Sequence, residues 1–137
     1  MKKILCINDN ELTLFLQKQV LSKSGLSEEI ITITDGRSGM DYCKKLIREN
    51  KDSTENYPGL IFLDLYMPGM NGWEFLHHYS TEIWPDFKNT RIIITSYSID
   101  ELDYERSKQY PFVVDFLTTS LSTAYLQSPT LSALLYS

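Results

Sequence analysis

The stretch LIFLDLYMPGMNGWEF, residues 60–75, decides the fold. Four apolar residues run directly into the carboxylate of Asp64, and the turn-forming sequence Met67-Pro68-Gly69 follows. The apolar run predicts a buried strand, because strands covered on both faces read as continuous apolar segments. A carboxylate at the end of such a strand is costly to desolvate unless water or a positive partner reaches it. The stretch therefore predicts a parallel sheet with a charged group at its edge.

Four further apolar runs have the same character and alternate with helical patterns. They are KILCI at 3–7, IITIT at 30–34, RIIIT at 91–95 and FVVDF at 112–116. We expect each to be apolar on both faces, as in a sheet covered by helices. Because right-handed crossovers leave few other topologies, the alternation predicts an α/β fold, a doubly wound five-stranded parallel sheet with helices on both faces.

Helical spacing is visible between the predicted strands. The first interval carries an apolar stripe, which we expect to face the core, and ends near Gly25. The stripe consists of Leu12, Phe15, Leu16 and Val20. Asp35 is predicted to be the N-cap of a second helix. A third helix should follow Gly72 and end before Pro85.

The last third of the chain predicts shorter helices within the same domain. Ser98 and Glu101 have the spacing of a capping box for a fourth helix. A fifth is predicted over 121–127, interrupted at Pro129, with Ser128-Pro129 capping a separate last turn. A length of 137 residues fits one domain, so we expect 1–137 to form a single unit.

Composition excludes several functional classes. Thirteen Lys and Arg against eighteen Asp and Glu give a net charge of −5, and no basic patch is interleaved with aromatic residues, so nucleic acid is not an expected ligand. No apolar run reaches the roughly eighteen residues of a membrane span, and the apolar run after the N-terminal lysines is too short for a signal peptide. We therefore expect a cytoplasmic protein with no membrane contact.

Three polar residues should converge at one edge of the sheet. Asp9 lies just past the first strand, Asp64 ends the third and Thr95 ends the fourth. Ligands of such sheets bind beyond the carboxyl ends of the strands, where the strand order reverses. Two carboxylates there suit Mg²⁺, and Asp64 could then act as a nucleophile toward a phosphoryl group. The alternative is that Asp9 only caps the first helix and Asp64 is a turn residue.

These residues resemble the receiver domain of two-component response regulators. The segment Asp64-Leu65-Tyr66-Met67-Pro68-Gly69-Met70-Asn71-Gly72 matches the motif D-x-x-M-P-x-M-[D/N]-G of that family. Asn8-Asp9 matches its acidic pair, and Thr95 is followed by the small Ser96 as the family requires. The resemblance covers nearly the whole chain and implies a flavodoxin-like receiver fold with strand order 2-1-3-4-5.

The resemblance also implies roles for the convergent residues. Asp64 would accept a phosphoryl group from a sensor histidine kinase or a phosphotransfer protein. Asp9, Asp64 and the backbone carbonyl of Tyr66 would bind Mg²⁺, and Asn8, neutral where the family has an acid, would reach the ion through a water. The chain would be a phosphoacceptor rather than an enzyme, with at most self-phosphorylation and self-dephosphorylation.

Three further positions follow from the resemblance. Thr95 would hydrogen-bond the phosphoryl group, and Phe116 would be the aromatic residue that moves on phosphorylation. Thr119 stands where the family has a lysine that contacts the phosphoryl group. Output would come through an unknown downstream protein, or through a homodimer formed by helix 4, strand 5 and helix 5. The missing lysine leaves open a pseudo-receiver, an interaction module that works without phosphate.

Two other classes fit the residues less well. A metal-dependent phosphohydrolase needs an acid near its aspartyl nucleophile, commonly two residues further on, and Tyr66 occupies that position. A flavodoxin-like cofactor carrier needs a phosphate-binding loop after the first strand, and Asn8-Asp9-Asn10-Glu11 would repel phosphate.

Overall fold

The computed structural model describes residues 1–50, 53–97 and 100–136. The strands are β1 (Lys3–Ile7), β2 (Glu29–Ile33), β3 (Leu60–Leu63), β4 (Arg91–Thr95) and β5 (Val113–Leu117). The helices are α1 (Glu11–Ser24), α2 (Gly36–Glu49), α3 (Gly72–Glu82), α4 (Glu101–Ser107), α5 (Thr123–Leu126) and α6 (Pro129–Tyr136). The strands form one parallel sheet in the order β2-β1-β3-β4-β5, which confirms the predicted topology.

Apolar clusters cover both faces of the sheet, because successive side chains of a strand point to opposite sides. Leu5 and Ile7 of β1 belong to the cluster that α2 and α3 cover. Ile4 and Cys6 belong to the cluster that α1, α5 and α6 cover, which includes the buried Leu131 of α6. The three central strands are therefore enclosed by apolar side chains from both directions, as their sequences predict.

The two edge strands are less buried than predicted and are shifted by one residue. β2 begins at Glu29 and β5 ends at Leu117, and both have partly exposed residues along much of their length. An edge strand has only one neighbour, so one side of its backbone and part of its side chains remain in contact with water. The pairing of β4 with β5 also contains a bulge, since Ile92 pairs with Val113 but Ile93 pairs with Asp115.

Most predicted helix ends are confirmed by their capping contacts. Gly25 ends α1 in the left-handed region with φ of 71°, and the Asp35 side chain accepts from the Ser38 N–H at the start of α2. α3 begins at Gly72 and ends at Glu82, before Pro85. At the C-terminus, the Ser128 hydroxyl accepts from the Leu131 N–H at 3.1 Å, so Ser128 caps α6 as predicted.

The predicted buried face of α1 is wrong for three of its four residues, since only Val20 is partly buried and packs against the core. Leu12, Phe15 and Leu16 are 66%, 56% and 52% exposed, and the buried residues of the helix are Leu14, Gln17 and Leu21. Apolar residues lie almost all round this helix, so two stripes compete. Packing against the sheet selects the 14-17-21 stripe, although it contains a glutamine.

Two other helix predictions differ in detail. Ser98, the predicted cap of α4, lies outside the described residues, and the described helix has Asp100 as its N-cap. α5 spans only Thr123–Leu126 rather than 121–127, because the Ser122 hydroxyl accepts from the Tyr125 N–H and fixes a later start. Within the described ranges, no helix has both the length and the apolar composition needed to cross a bilayer.

The turn between β3 and α3 holds the end of β3 against the start of α3. Gly69 adopts φ of 73°, which only glycine tolerates without strain. The Gly72 N–H donates to the Leu65 carbonyl at 2.8 Å, and a Cβ on Gly72 would lie 2.6 Å from the Asp64 carbonyl oxygen. A second backbone atom, the Cα of Leu65, would also lie 2.6 Å away. Position 72 therefore has no room for a side chain.

Gly72→Ala should destabilise the protein by about 2 kcal/mol or more, since the new methyl group meets backbone atoms that cannot rotate away. The free energy of unfolding from urea titrations measures this loss. Gly39→Ala in α2 is the control, because its methyl group would meet side-chain atoms only, chiefly the flexible end of Ile7 at 2.7 Å, and no backbone. Equal stability of wild type and Gly72→Ala would show that the turn can relax.

Candidate functional site

The carboxyl ends of β1, β3 and β4 border a cavity of about 530 Å³. Asp9, Asp64 and Thr95 all line it, so the three residues predicted to converge do lie at one site. Asp64 is fixed there by its backbone, because its N–H donates to the Ile7 carbonyl at 3.0 Å. The structure places Asp64 immediately after β3 rather than within it.

Asp64 and Asp9 face each other across a short distance. The pKa of the Asp64 carboxyl is raised to about 6, chiefly by burial and also by the charge and a hydrogen bond of the Asp9 side chain, against the lowering effect of the Tyr66 and Leu65 N–H groups. Asp64 is half-buried, whereas Asp9 is exposed. Two carboxylates this close repel each other, and a shared cation relieves the repulsion.

The loop after β1 leaves Asp9 available to the cavity. The N-cap of α1 is Asn10, whose side chain accepts from the Thr13 N–H at 3.0 Å. Asn8 is only 6% exposed, and its Oδ1 accepts from the Asn10 N–H at 2.9 Å. The alternative in which Asp9 is merely a helix cap is therefore wrong, because both neighbouring asparagines satisfy the loop without it.

The residues of the cavity suit a magnesium ion that takes only a few of its ligands from the protein. Over the part of the chain that the structure describes, no group of three or more His, Cys, Asp and Glu side chains is placed to hold a metal. Mg²⁺ needs less than that, since it is usually held by one or two carboxylates and keeps several waters. Asp9 and Asp64 line one cavity whose described lining includes no Lys, Arg or His, so no cationic side chain there balances their charge.

The other predicted site residues divide into two groups. Thr95 and Thr119 line the cavity, and the Thr95 Oγ1 is buried with no hydrogen-bond partner in the described residues. Phe116 does not line the cavity. Its ring lies 6.1 Å from the Tyr104 ring of α4, measured between centroids. Its register partner on β4 is Ile94, one residue before Thr95.

Comparison with known proteins identifies the family. The model of the response regulator receiver domain matches residues 4–126. The chain belongs to that family. Receiver domains act in two-component signalling as phosphoacceptors rather than as classical enzymes, and they interact with histidine kinases and phosphotransfer proteins.

Individual relatives agree with this assignment. Response regulator Rcp1 of Synechocystis sp. is 29% identical over 102 residues, which cover 74% of this chain and 66% of that protein. The chain spans no more than about two thirds of the length of the curated relatives it matches.

Solved structures of response regulators share the fold. A two component response regulator from Cytophaga hutchinsonii has a TM-score of 0.84 at 22% identity, over 100% of this chain and 98% of that one. The phosphorylated cyanobacterial phytochrome response regulator RcpA has a TM-score of 0.71 at 28% identity, over 98% and 89%. The Mn²⁺-bound form of Rcp1 has a TM-score of 0.70 at 27% identity, over 98% and 90%.

Two tyrosines form the outer wall of the receiver cavity. Tyr66 and Tyr97 line it while remaining 58% and 69% exposed. The Tyr66 hydroxyl donates to the Asp103 carboxylate of α4, and the Tyr97 hydroxyl lies 3.2 Å from the Ser120 hydroxyl. Tyr97 thus connects the segment after β4 to the segment after β5 in the lining of the cavity that contains Asp64.

Sequence reasoning missed the inner part of this receiver site. Leu16 and Gln17 of α1 line the cavity together with Ser120 and Leu121 after β5. Gln17 is 5% exposed, and its Oε1 has no hydrogen-bond partner among the described residues. The sequence did contain a signal, since Gln17 is the polar member of the stripe Leu14, Gln17 and Leu21 that faces the sheet.

Asp64→Asn should change how stability depends on pH. Because the folded pKa of Asp64 is raised, the folded protein binds more protons than the unfolded chain between about pH 4 and 6, so wild type loses stability as pH rises through this window. The loss should be about 1 to 2 kcal/mol after allowing for solvent around a half-buried group.

Urea unfolding at pH 4 and pH 7 without divalent ions measures the difference between wild type and Asp64→Asn. The variant should gain relative stability at pH 7. If wild type and Asp64→Asn lose the same free energy of unfolding between pH 4 and pH 7, then the ionised Asp64 carboxylate does not destabilise the folded protein.

Proposed function

We propose that Asp64 accepts a phosphoryl group from the phosphohistidine of a sensor histidine kinase or phosphotransfer protein. The observation that carries the proposal is that Asp64, Asp9 and the unpartnered Thr95 hydroxyl line one cavity at the end of the sheet. Asp64 is half-buried, and a pKa of about 6 leaves it mostly ionised at neutral pH. It therefore combines an anionic nucleophile with access for a donor side chain.

The side chains at the site have separate roles in this transfer. An Asp64 oxygen forms a bond to phosphorus as the bond from phosphorus to the histidine nitrogen breaks, and the imidazole keeps that electron pair. The Thr95 hydroxyl donates a hydrogen bond to a phosphoryl oxygen, which gives it the partner it lacks. Asp9, Asp64 and the Tyr66 backbone carbonyl would hold Mg²⁺, with Asn8 reaching it through a water. The ion would supply charge neutralisation for the phosphoryl oxygens.

The bound ion in the Mn²⁺-bound form of Rcp1 and the phosphorylated state of RcpA support a similar site here. Divalent metal binding is thus present in the family. Magnesium is the ion we propose for this chain, because two hard carboxylates and retained waters match its preferences.

Output is proposed to occur through protein contact. Leu102 and Tyr104 of α4 are 76% and 48% exposed, beside the partly exposed strand β5. This surface, made by α4, β5 and α5, is the candidate for a downstream protein or for a homodimer.

Residues 1–137 are proposed to form one receiver domain, since Leu131 of α6 packs in the same apolar cluster as Leu126 of α5.

Intact mass after incubation with a small-molecule phosphodonor and Mg²⁺ tests the proposal. Wild type should gain the mass of one phosphoryl group, and Asp64→Asn should gain none. Thr95→Val, which keeps the shape and removes the hydroxyl, should be phosphorylated at least tenfold more slowly, because the hydrogen bond to a charged group is lost. A gain of equal size in Asp64→Asn would place the phosphoryl group elsewhere.

A pseudo-receiver is the second candidate, and one observation favours it. No Lys, Arg or His lies among the described residues that line the cavity. A phosphoryl group would therefore have no cationic side chain beside it among the described residues that line the cavity. An unchanged mass in wild type under all donor and Mg²⁺ conditions, with the fold intact, would establish this alternative.

Once formed, the phosphoryl group should be lost slowly. Tyr66 and Tyr97 line the cavity, and the Tyr97 hydroxyl lies close to that of Ser120, which also lines it. Both tyrosine side chains therefore restrict the approach of a water molecule to a phosphoryl group on Asp64. The double variant Tyr66→Asn, Tyr97→Glu should lose phosphate several-fold faster than wild type, measured as the decay of the phosphorylated mass after donor removal.

The substitution Tyr136→Asn is a suitable control, because Tyr136 is exposed and lies at the end of α6. Its decay rate should equal that of wild type. Slower decay in the double variant than in wild type would contradict the shielding role of the two tyrosines.

A further inference from the structure

The inner part of the cavity has a ligand requirement that the phosphoryl group does not meet. The cavity extends from Asp64 to α1 and to the segment after β5, where Leu16, Gln17 and Leu121 line it. Its volume of about 530 Å³ is within the range of small-molecule sites. We call this part, between α1 and residues 119–121, the inner pocket.

One acceptor in this cavity lacks a donor. Gln17 is 95% buried, since it is only 5% exposed, and its Oε1 has no hydrogen-bond partner in the described part of the chain. A carbonyl oxygen can only accept, so this atom needs a group that carries a hydrogen-bond donor. The buried Thr95 Oγ1 also has no partner in the described residues, but a hydroxyl can donate as well as accept, so Thr95 remains available to a phosphoryl oxygen.

The charge of the cavity selects the sign of that group. Asp9 and Asp64 are the ionisable carboxylates in the lining, and the described lining residues include no Lys, Arg or His. An anion would be repelled, and a bare metal ion cannot donate a hydrogen bond to Gln17. A cation with N–H donors satisfies both the charge of the cavity and the unpartnered Gln17 acceptor.

The walls of the inner pocket indicate what the cation is attached to. Leu121 is buried and Leu16 presents a half-exposed apolar side chain, so both offer contacts to methylene groups. A primary ammonium on a short alkyl chain combines three donors with an apolar stem. Thr119 and Ser120 add hydroxyls that can accept from the remaining N–H groups.

We propose that the inner pocket binds a primary alkylammonium group that comes from outside the chain. Its source is either a free small amine or the lysine side chain of a partner protein. The consequence for signalling rests on the proposed function. At equal Mg²⁺ occupancy a phosphoryl group on Asp64 makes the cavity more negative, so the ammonium binds more tightly to the phosphorylated protein and, by linkage, shifts the equilibrium between the two states toward the phosphorylated one by the same factor.

Nuclear magnetic resonance titration of the unphosphorylated protein without Mg²⁺ tests the binding directly. n-Butylammonium should bind with a Kd of about 1 mM, a reasonable affinity for five heavy atoms, and should shift the Gln17 side-chain amide resonances. n-Butanol, which lacks the charge, and tetramethylammonium, which lacks the N–H donors, should bind at least tenfold more weakly. Equal binding of either control would overturn the proposal.

Substitutions locate the binding within the pocket. Gln17→Met keeps the length of the side chain and removes its acceptor, so butylammonium binding should weaken at least tenfold. Gln19→Met is the matched control, because Gln19 is an exposed residue of the same helix outside the cavity lining. Thr119→Lys should also weaken binding of the free amine, since it adds a positive charge to the pocket wall. Unchanged affinity in both Gln17→Met and Thr119→Lys would overturn the location.

A comparison of two amines distinguishes the sources. A lysine blocked at both backbone ends should bind about as well as n-butylammonium if a partner's lysine enters the pocket, and much more weakly if only a free amine fits. Either outcome supports an ammonium site, whereas binding of neither amine overturns it and leaves water as the donor.

A final arm separates this inference from the proposed function. After phosphorylation with a small-molecule donor and Mg²⁺, butylammonium should bind several-fold more tightly than it binds to the unphosphorylated protein in the same Mg²⁺, while the neutral n-butanol should show no such difference. Equal affinity of butylammonium for the two states would overturn the regulatory consequence. If Asp64 gains no phosphoryl group at all, the proposed function fails, but the titration of the unphosphorylated protein still decides the amine site.

Discussion

The backbone hydrogen bond from the Asp64 N–H to the Ile7 carbonyl, 3.0 Å long, is the contact on which the site depends. It extends the pairing of β1 with β3 by one residue beyond Leu63, and so holds Asp64 beside the chain that leaves β1. On the other side of β1, the Asn8 N–H donates to the Ile33 carbonyl at 3.0 Å. The two carboxylates are therefore brought together by the pairing of three strands, against their mutual repulsion.

That strand pairing explains how Asp9 and Asp64 remain close together at the carboxyl end of a stable sheet. The apolar core of β1, β3 and β4 contributes the free energy of folding, and the cost of crowding Asp9 against Asp64 is small beside it. Two backbone N–H groups, from Leu65 and Tyr66, reduce the cost by bonding to the Asp64 carboxylate. A cation bound between the two carboxylates would relieve the remaining repulsion.

The sequence predicts the central strands and the carboxylates at their carboxyl ends, because the sequence patterns that indicate both are local. Buried strands such as residues 60–63 read as unbroken apolar runs, and Asp64 interrupts its run at the strand end. The face of α1 could not be predicted in the same way, since its apolar residues surround the helix and only packing selects Leu14 over Leu12. Gln17 was missed for the same reason, because the role of a polar residue on a buried stripe becomes visible only once the cavity beside it exists.

The hydrogen bonds around the cavity differ in their exposure to solvent, and therefore in how readily they can be broken. The Tyr97 hydroxyl contact with Ser120 is exposed, and such bonds contribute little net free energy, so it can be exchanged for water. By contrast, the Tyr125 hydroxyl donates to the Asp115 carboxylate at 2.6 Å in a partly buried position and ties α5 to β5. Tyr66 joins the cavity wall to α4 through Asp103, and Phe116 packs near Tyr104 of the same helix. The contact that ties α5 to β5 is less exposed to solvent than the contact between Tyr66 and Asp103, so α5 is held to the sheet more firmly than α4 is held to the cavity wall.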